Sequence, residues 1–409
     1  MNSKISRRQF VNLTAGSAAG IGFFQGVPNV FAKTSWLAPP RNDGKVLVVI
    51  QLSGGNDGLN TVVPYADQEY YKNRFSLAIG QSAVHKINDQ VGFHPALSGF
   101  SSLLDSNQLA VIQGVGYDNP NRSHFESMDL WHTAHRSKGR IPEGWMGRLL
   151  GGEFGKKLDI PAIHLGEEKQ PLALAAQDAA FPSIQSLERF RLNTFGNQKL
   201  KRLVEEEAAV FRSSDDGLLQ FIQTTADSAF KAGARIEEIV KAKASSVEYP
   251  GSQLGQKLQT VSKMIAAEMP TAVYYVTLDG FDTHANQADA HAGLLTQLGD
   301  AVAALMKDLT AQGNDKRVLV FSFSEFGRRV RQNASQGTDH GTAGPVFLAG
   351  GALQAGVHGD HPALDSLVDG DLRFHTDYRQ VYATILEKWF NVASDSILGA
   401  SFAPLKFLG

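Results

Sequence analysis

Five short apolar runs constrain this chain more than any other feature. The first is Lys45-Val-Leu-Val-Val-Ile-Gln-Leu52, and the others lie at Leu109–Gln113, Ala272–Leu278, Arg317–Phe323 and Pro345–Leu348. A run of this length without polar alternation predicts a strand buried on both faces, as in a parallel sheet covered by helices. The stretch Ala285–Leu309 supplies one such helix, with Leu294, Leu298, Val302, Leu305 and Leu309 on a single stripe. It joins the third run to the fourth, which predicts a βαβ crossover. Tyr378–Phe390 predicts a further packed helix at the C-terminal end.

Between the second and third runs the character changes. Lys199–Ser246 predicts two helices, with Leu218, Ile222, Ala226, Phe230, Ile236 and Val240 at helical spacing. The expected organisation is therefore one α/β domain over residues 45–409, carrying a helical insertion at about residues 185–255.

The N-terminus predicts how the chain travels. Ser6-Arg7-Arg8-Gln9-Phe10 is a paired-arginine pattern, followed by a weakly apolar run from Val11 to Val27 that is interrupted by Gly16, Gly20, Gly22 and Gly26. Val30-Phe31-Ala32 places small residues where a signal peptidase cuts. Residues 1–32 are expected to be a twin-arginine signal peptide and 33–44 a linker. The alternative is an amphipathic tail or a membrane anchor, but the run is short and glycine-rich for a stable span. The expected partner is the twin-arginine translocase, and the expected location periplasmic or secreted, with no stable membrane span in the mature form. There are no cysteines, which excludes disulfides, thiolate metal sites and a cysteine nucleophile. A net charge of -2 gives no electrostatic reason to expect nucleic acid.

In a parallel sheet, ligands bind beyond the carboxyl ends of the strands. After the first run comes Ser53-Gly54-Gly55-Asn56-Asp57-Gly58, which puts Asp57 at a strand tip as a cation ligand or as part of a structural turn. After the second comes Asn121-Arg122-Ser123-His124-Phe125-Glu126. Ser123 there predicts an N-cap, with Glu126 closing a capping box. The same placement suits a serine nucleophile, with Arg122 as an oxyanion clamp. After the third comes Asp279-Gly280-Phe281-Asp282-Thr283-His284. Two carboxylates and an imidazole so close together predict a metal site, although Asp282 or Thr283 could instead cap the helix that follows. After the fourth comes Glu325-Phe326-Gly327-Arg328, and Asp339-His340 precede the fifth.

Together these tips present Asp57, Asp282, His284, Glu325, Asp339 and His340 as candidate metal ligands. Oxygen and imidazole donors without thiolate suit zinc, manganese, iron or magnesium. Two such ions about 4 Å apart would bracket a phosphoryl or sulfuryl centre. Of the remaining histidines, His124, His358 and His375 are the next candidates.

The segments LSGGNDGLN, NRSHFE, GFDTHANQ, FSEFGR and GTDHGTAGPVFLAGG, together with the leader, closely resemble the exported bacterial family called domain of unknown function 1501. That family looks like a branch of the alkaline phosphatase/sulfatase superfamily. The resemblance implies a mixed, mostly parallel α/β sheet with one or two divalent metal ions. It implies Asp57 as the aspartate after the first strand and Ser123 as nucleophile. It also implies Asp282 and His284 as a ligand pair, with Asp279 as the alternative to Asp282, and His340 as the last metal histidine. Glu325 stands where relatives have an Asp-His pair, and Phe326 replaces the histidine. Formylglycine chemistry is not expected, because Ser123 is followed by His-Phe-Glu-Ser rather than the required motif. The function implied is a metal-dependent hydrolase of phosphate or related esters, of small-molecule or polymer type, with Arg122 or Arg328 holding an ester oxygen. The alternative is an exported scaffold or binding protein on the same fold.

Overall fold

The five runs form the centre of one nine-stranded sheet. A computed structural model describes residues 44–135, 143–177, 179–184 and 245–409. The sheet's strands in chain order are β1 (Val46–Ser53), β2 (Leu109–Gly116), β3 (Ala162–Leu165), β4 (Ser183–Ile184), β5 (Val273–Asp279), β6 (Val318–Ser324), β7 (Gly344–Ala349), β8 (Gly356–His358) and β9 (Thr376–Asp377). Their spatial order is β8-β2-β7-β6-β1-β5-β3-β4, and β9 pairs with β2. All pairings are parallel except those of β7, which runs antiparallel to both β6 and β2. The mostly parallel, mixed sheet flanked by helices is the expected fold class.

β1 sits between β5 and β6, with Ile50 opposite Val276 on one side and Ser322 on the other. Its side chains alternate between two cores, which is why the run has no polar face. Val46, Val48, Ile50 and Leu52 enter one core, and Leu47 and Val49 enter the other. The helices that cover the sheet are α1 (Ser98–Asp105), α2 (His124–Thr133), α3 (Trp145–Gly151), α4 (Gln253–Ala266), α5 (Gln287–Ala311) and α6 (Tyr378–Thr384). The first core lies under α1, α4 and α5, and the second under α2, α3 and α6.

α5 makes the expected crossover from β5 to β6, passing β1, which lies between them. Leu298, Val302, Leu305 and Leu309 are buried on its inner face, and Leu294 is half-buried. The C-terminal helix continues from α6 into a wider π turn, Ile385–Trp389, which brings the Trp389 indole to donate to the Val46 carbonyl. The helical insertion expected over Lys199–Ser246 and the leader fall almost wholly outside the described residues. No helix among the described residues is long and apolar enough to cross a membrane.

The parallel direction of β1, β2, β5 and β6 brings their carboxyl ends to one edge. The loop before the antiparallel β7 arrives at the same edge. α5 starts at Gln287, not at Ala285, because Asn286 takes a left-handed conformation as its N-cap. Residues 280–286 therefore stay in a loop, and neither Asp282 nor Thr283 caps the helix.

Candidate metal centre

Backbone contacts first lock the loops together. The Gly54 amide donates to Glu325 Oε1 at 2.9 Å, and the Phe281 amide donates to the Ser53 carbonyl at 3.0 Å. Gly54 has φ +115°, and a Cβ there would lie 2.4 Å from the Asp282 amide nitrogen. Only glycine allows that approach. Gly54→Ala is expected to lower the thermal midpoint and to weaken metal binding, since it strains the loop by about 1–3 kcal/mol and displaces Asp282. Thermal unfolding with and without added metal checks both effects.

Asp282 is the hub. Its Oδ1 lies 3.0 Å from His284 Nε2, 3.1 Å from His340 Nε2 and 3.4 Å from His124 Nε2. His284 Nε2 and His340 Nε2 are 2.9 Å apart. His124, Asp282 and His340 offer ligand atoms that all lie within 4.8 Å of one another. The opposite nitrogens fix the tautomers. His340 Nδ1 faces the Arg122 carbonyl at 2.8 Å, His124 Nδ1 faces Glu325 Oε1 at 2.8 Å, and His284 Nδ1 faces Asp339 Oδ1 at 3.1 Å. A carbonyl or carboxylate can only accept, so each Nδ1 carries hydrogen, and a ring with no second hydrogen turns an Nε2 lone pair toward Asp282. His124 Nε2 is buried with no hydrogen-bond partner.

Lone pairs at these separations repel unless a cation stands among them. Ligands about 2.0–2.1 Å from a tetrahedral ion are about 3.3 Å apart, close to the spacing seen here. A carboxylate or carbonyl behind each ligating imidazole is also the usual support for metal-bound histidine. Burial disfavours the Asp282 carboxylate, but the charge and hydrogen bond of the Arg328 guanidinium beside it bring its pKa down to about 2. The Glu325 hydrogen bond raises the His124 pKa against the effect of burial. A proton therefore competes for the same place, and metal affinity is expected to fall as pH falls; a metal titration at pH 8 and pH 6 measures this.

The structure sorts the sequence candidates. Asp282, His284 and His340 come together. His124, which the capping pattern at Ser123 obscured, joins them. Glu325 and Asp339, expected as ligands, instead stand behind His124 and His284 and orient them. Asp279 accepts from its neighbour Gly280 and stays outside the cluster. His358 and His375 face backbone carbonyls elsewhere, those of Gln354 and Asp360.

Arg328 is not available to hold an ester oxygen. It is 1% exposed, and its guanidinium donates to the carbonyls of Gly54, Gly55, Phe281 and Thr338 and to Asp282 Oδ1. Arg122 pairs with Asp371 through Nη2, its Nε has no partner, and its carbonyl orients His340. Ser123 is the N-cap of α2, but the capping box does not form. Its side chain makes no cap bond, and Glu126 accepts from Asn121 instead.

Asp57 is the largest departure from expectation. It is 1% exposed, and both its oxygens accept from Arg74, itself fully buried; Gln287 also donates to it. Burial raises its pKa, but the Arg74 charge and hydrogen bonds outweigh this and bring it to about 2. The sign follows. The pair's contribution is complete above the unfolded carboxylate value of about 3.9, and it is lost as pH falls toward 2. Asp57→Asn is expected to flatten that acid limb in a pH series of unfolding midpoints.

Among the described residues, His124, Asp282 and His340 offer ligand atoms within 4.8 Å of one another, and His284 Nε2 lies 3.0 Å from Asp282 Oδ1 and 2.9 Å from His340 Nε2, so all four crowd one place. Asp57 is occupied, and the Phe326 ring packs 5.0 Å from His124 and 4.8 Å from His340.

No curated protein matches the sequence. Among solved structures, the chain is similar to a protein in the alkaline phosphatase superfamily from Vibrio parahaemolyticus, at 9% identity and a TM-score of 0.41, over 97% of this chain and 78% of that one. It is similar to the PsFucS1 sulfatase from Pseudoalteromonas sp., at 11% identity and a TM-score of 0.40, over 88% and 70%. It is also similar to the C-terminal periplasmic domain of EcEptC from Escherichia coli in complex with zinc, at 10% identity and a TM-score of 0.32, over 75% and 73%. A family model matches residues 44–395, most of the sequence, and the chain belongs to that family, described as Protein of unknown function (DUF1501).

Proposed function

We propose that this chain is a metal-dependent hydrolase of phosphate or related esters that works outside the cytoplasm. One observation carries the reading: imidazoles with hydrogen-bonded Nδ1 atoms turn their Nε2 atoms toward a single carboxylate oxygen. Asp282 and His340, flanked by His124 and His284, would hold a divalent ion, whose chemistry is Lewis-acid polarisation of an ester oxygen. An imidazole-rich set suits zinc or iron better than magnesium. Asp282 is 49% exposed at its side chain and His284 43%, so the centre is open to a substrate.

Ser123 is the proposed nucleophile. It precedes His124 directly and leaves its hydroxyl out of the helix cap. The N-terminus of α2 favours negative charge there. The Ser123 oxygen bonds to the phosphorus or sulfur centre as the ester alcohol departs, and water then frees the serine.

The charges favour one substrate class. Asp282, Glu325 and Asp339 stand against Arg328 and one dication, which leaves the centre near neutral. Singly charged esters are expected to outpace doubly charged monoesters. Metal analysis and a panel of phosphate monoesters, phosphate diesters and sulfate esters test the proposal. The expected result is bound metal, turnover of a monoanionic ester, and a Ser123→Ala variant that keeps its metal but loses turnover. Metal-free protein, or Ser123→Ala at full activity, contradicts it.

A second reading rests on Phe326, which packs against two of the imidazoles where a further ligand could stand. It is a binding protein that holds the ion and turns over no ester. Export rests on Arg7-Arg8. Replacing both with lysine is expected to leave the precursor in the cytoplasm, as cell fractionation would show.

A further inference from the structure

The Asp57 strand tip has the makings of a second cation site, and something already fills it. The Arg74 guanidinium lies among five oxygens. Two are those of Asp57, one of them 2.8 Å from Arg74 Nη2. The third is the Val330 carbonyl at 2.7 Å, the fourth the Arg329 carbonyl at 3.0 Å, and the fifth Asn60 Oδ1 at 3.3 Å. Both partners of the ion pair are buried, with side-chain exposures of 0% and 1%. A carboxylate with two carbonyls and an amide oxygen around it is a donor set for a hard divalent cation. Here the cation is covalently part of the chain.

We infer that the Asp57 tip is a cation position that the chain occupies with its own Arg74 guanidinium, so that the protein takes one metal ion per chain and gains a hard-cation site when Arg74 is removed. The count of one rests on the metal-centre reading proposed above; the guanidinium site does not. An arginine cannot be deprotonated or chelated, so this tip keeps its positive charge at any metal supply. Its role is structural, closing the loop after β1 onto residues 329–330, while ion exchange is confined to the Asp282 centre.

The test counts ions by elemental analysis after gel filtration, with zinc and calcium both offered. Wild type is expected to carry one zinc and no calcium. Arg74→Ala is expected to keep the zinc and gain one calcium, and Asp57→Asn/Arg74→Ala to lose that calcium again. Two ions on the wild-type chain overturn the inference, as does a folded Arg74→Ala without calcium. If Arg74→Ala does not fold, the wild-type count decides alone. A wild-type chain with no zinc contradicts the proposed function, while the calcium gain in Arg74→Ala still decides this inference.

Discussion

His340→Ala is expected to empty the metal centre and abolish ester turnover. His340 touches everything that defines the centre. Its Nε2 lies 3.1 Å from Asp282 and 2.9 Å from His284, and its ring packs against those of His124 and Phe326. Alanine removes a ligand atom together with the ring that packs against both His124 and His284, so the donors that remain no longer converge on one point. The loss also reaches stability. An ion that binds only the folded chain stabilises it by about 4 kcal/mol when present at a thousand times its dissociation constant. Wild type is therefore expected to lose thermal midpoint when treated with chelator, whereas His340→Ala starts low and does not respond. Glu325→Gln gives the graded counterpart. It keeps the volume but weakens the acceptor behind His124, and about 10- to 100-fold of metal affinity is expected to go with it. A His340→Ala chain that retains stoichiometric metal would refute this arrangement.

Arg328→Ala is expected to be the most destabilising single change at this edge of the sheet. Arg328 joins three loops, since its acceptors come from residues 54–55, 281–282 and 338. Alanine strands four carbonyls and leaves the Asp282 carboxylate without its guanidinium. Each buried acceptor left without its donor costs about 1–3 kcal/mol, so several together take a large share of the roughly 5–15 kcal/mol that holds a domain folded. Lysine keeps the charge but not the planar fork, and it is expected to recover only part of the loss. Denaturant unfolding followed by circular dichroism measures both variants. If Arg328→Ala unfolds at the wild-type midpoint, the loops do not depend on it.

The strands were readable wherever burial on two faces left no polar residue in the run. β1, β5 and β6 are of that kind, because each is sandwiched between helices. β3 was not readable, since His164 interrupts a four-residue strand, and β4 and β9 have only two residues each. The chemistry at the tips was visible as acids and histidines in glycine-bounded loops. Its division of labour was not. Asp57, Asp282 and Glu325 are equivalent in sequence, each an acid a few residues after a strand or at its end. What separates them is a partner from elsewhere in the chain. Arg74 claims Asp57, the imidazole of His124 claims Glu325, and only Asp282 is left facing Nε2 atoms. His124 stands in the sequence only as a further candidate for a related reason, since its neighbours Ser123 and Glu126 have the spacing of a helix cap that does not form.

The proposed ion lies where Asp282 meets His124, His284 and His340. A crystal of the zinc-loaded protein, measured on both sides of the zinc absorption edge, tests it directly. One anomalous peak per chain is expected, within bonding distance of Asp282 Oδ1 and His340 Nε2, and none at Asp57. No peak at Asp282, or a peak coordinated by Asp57, would contradict it.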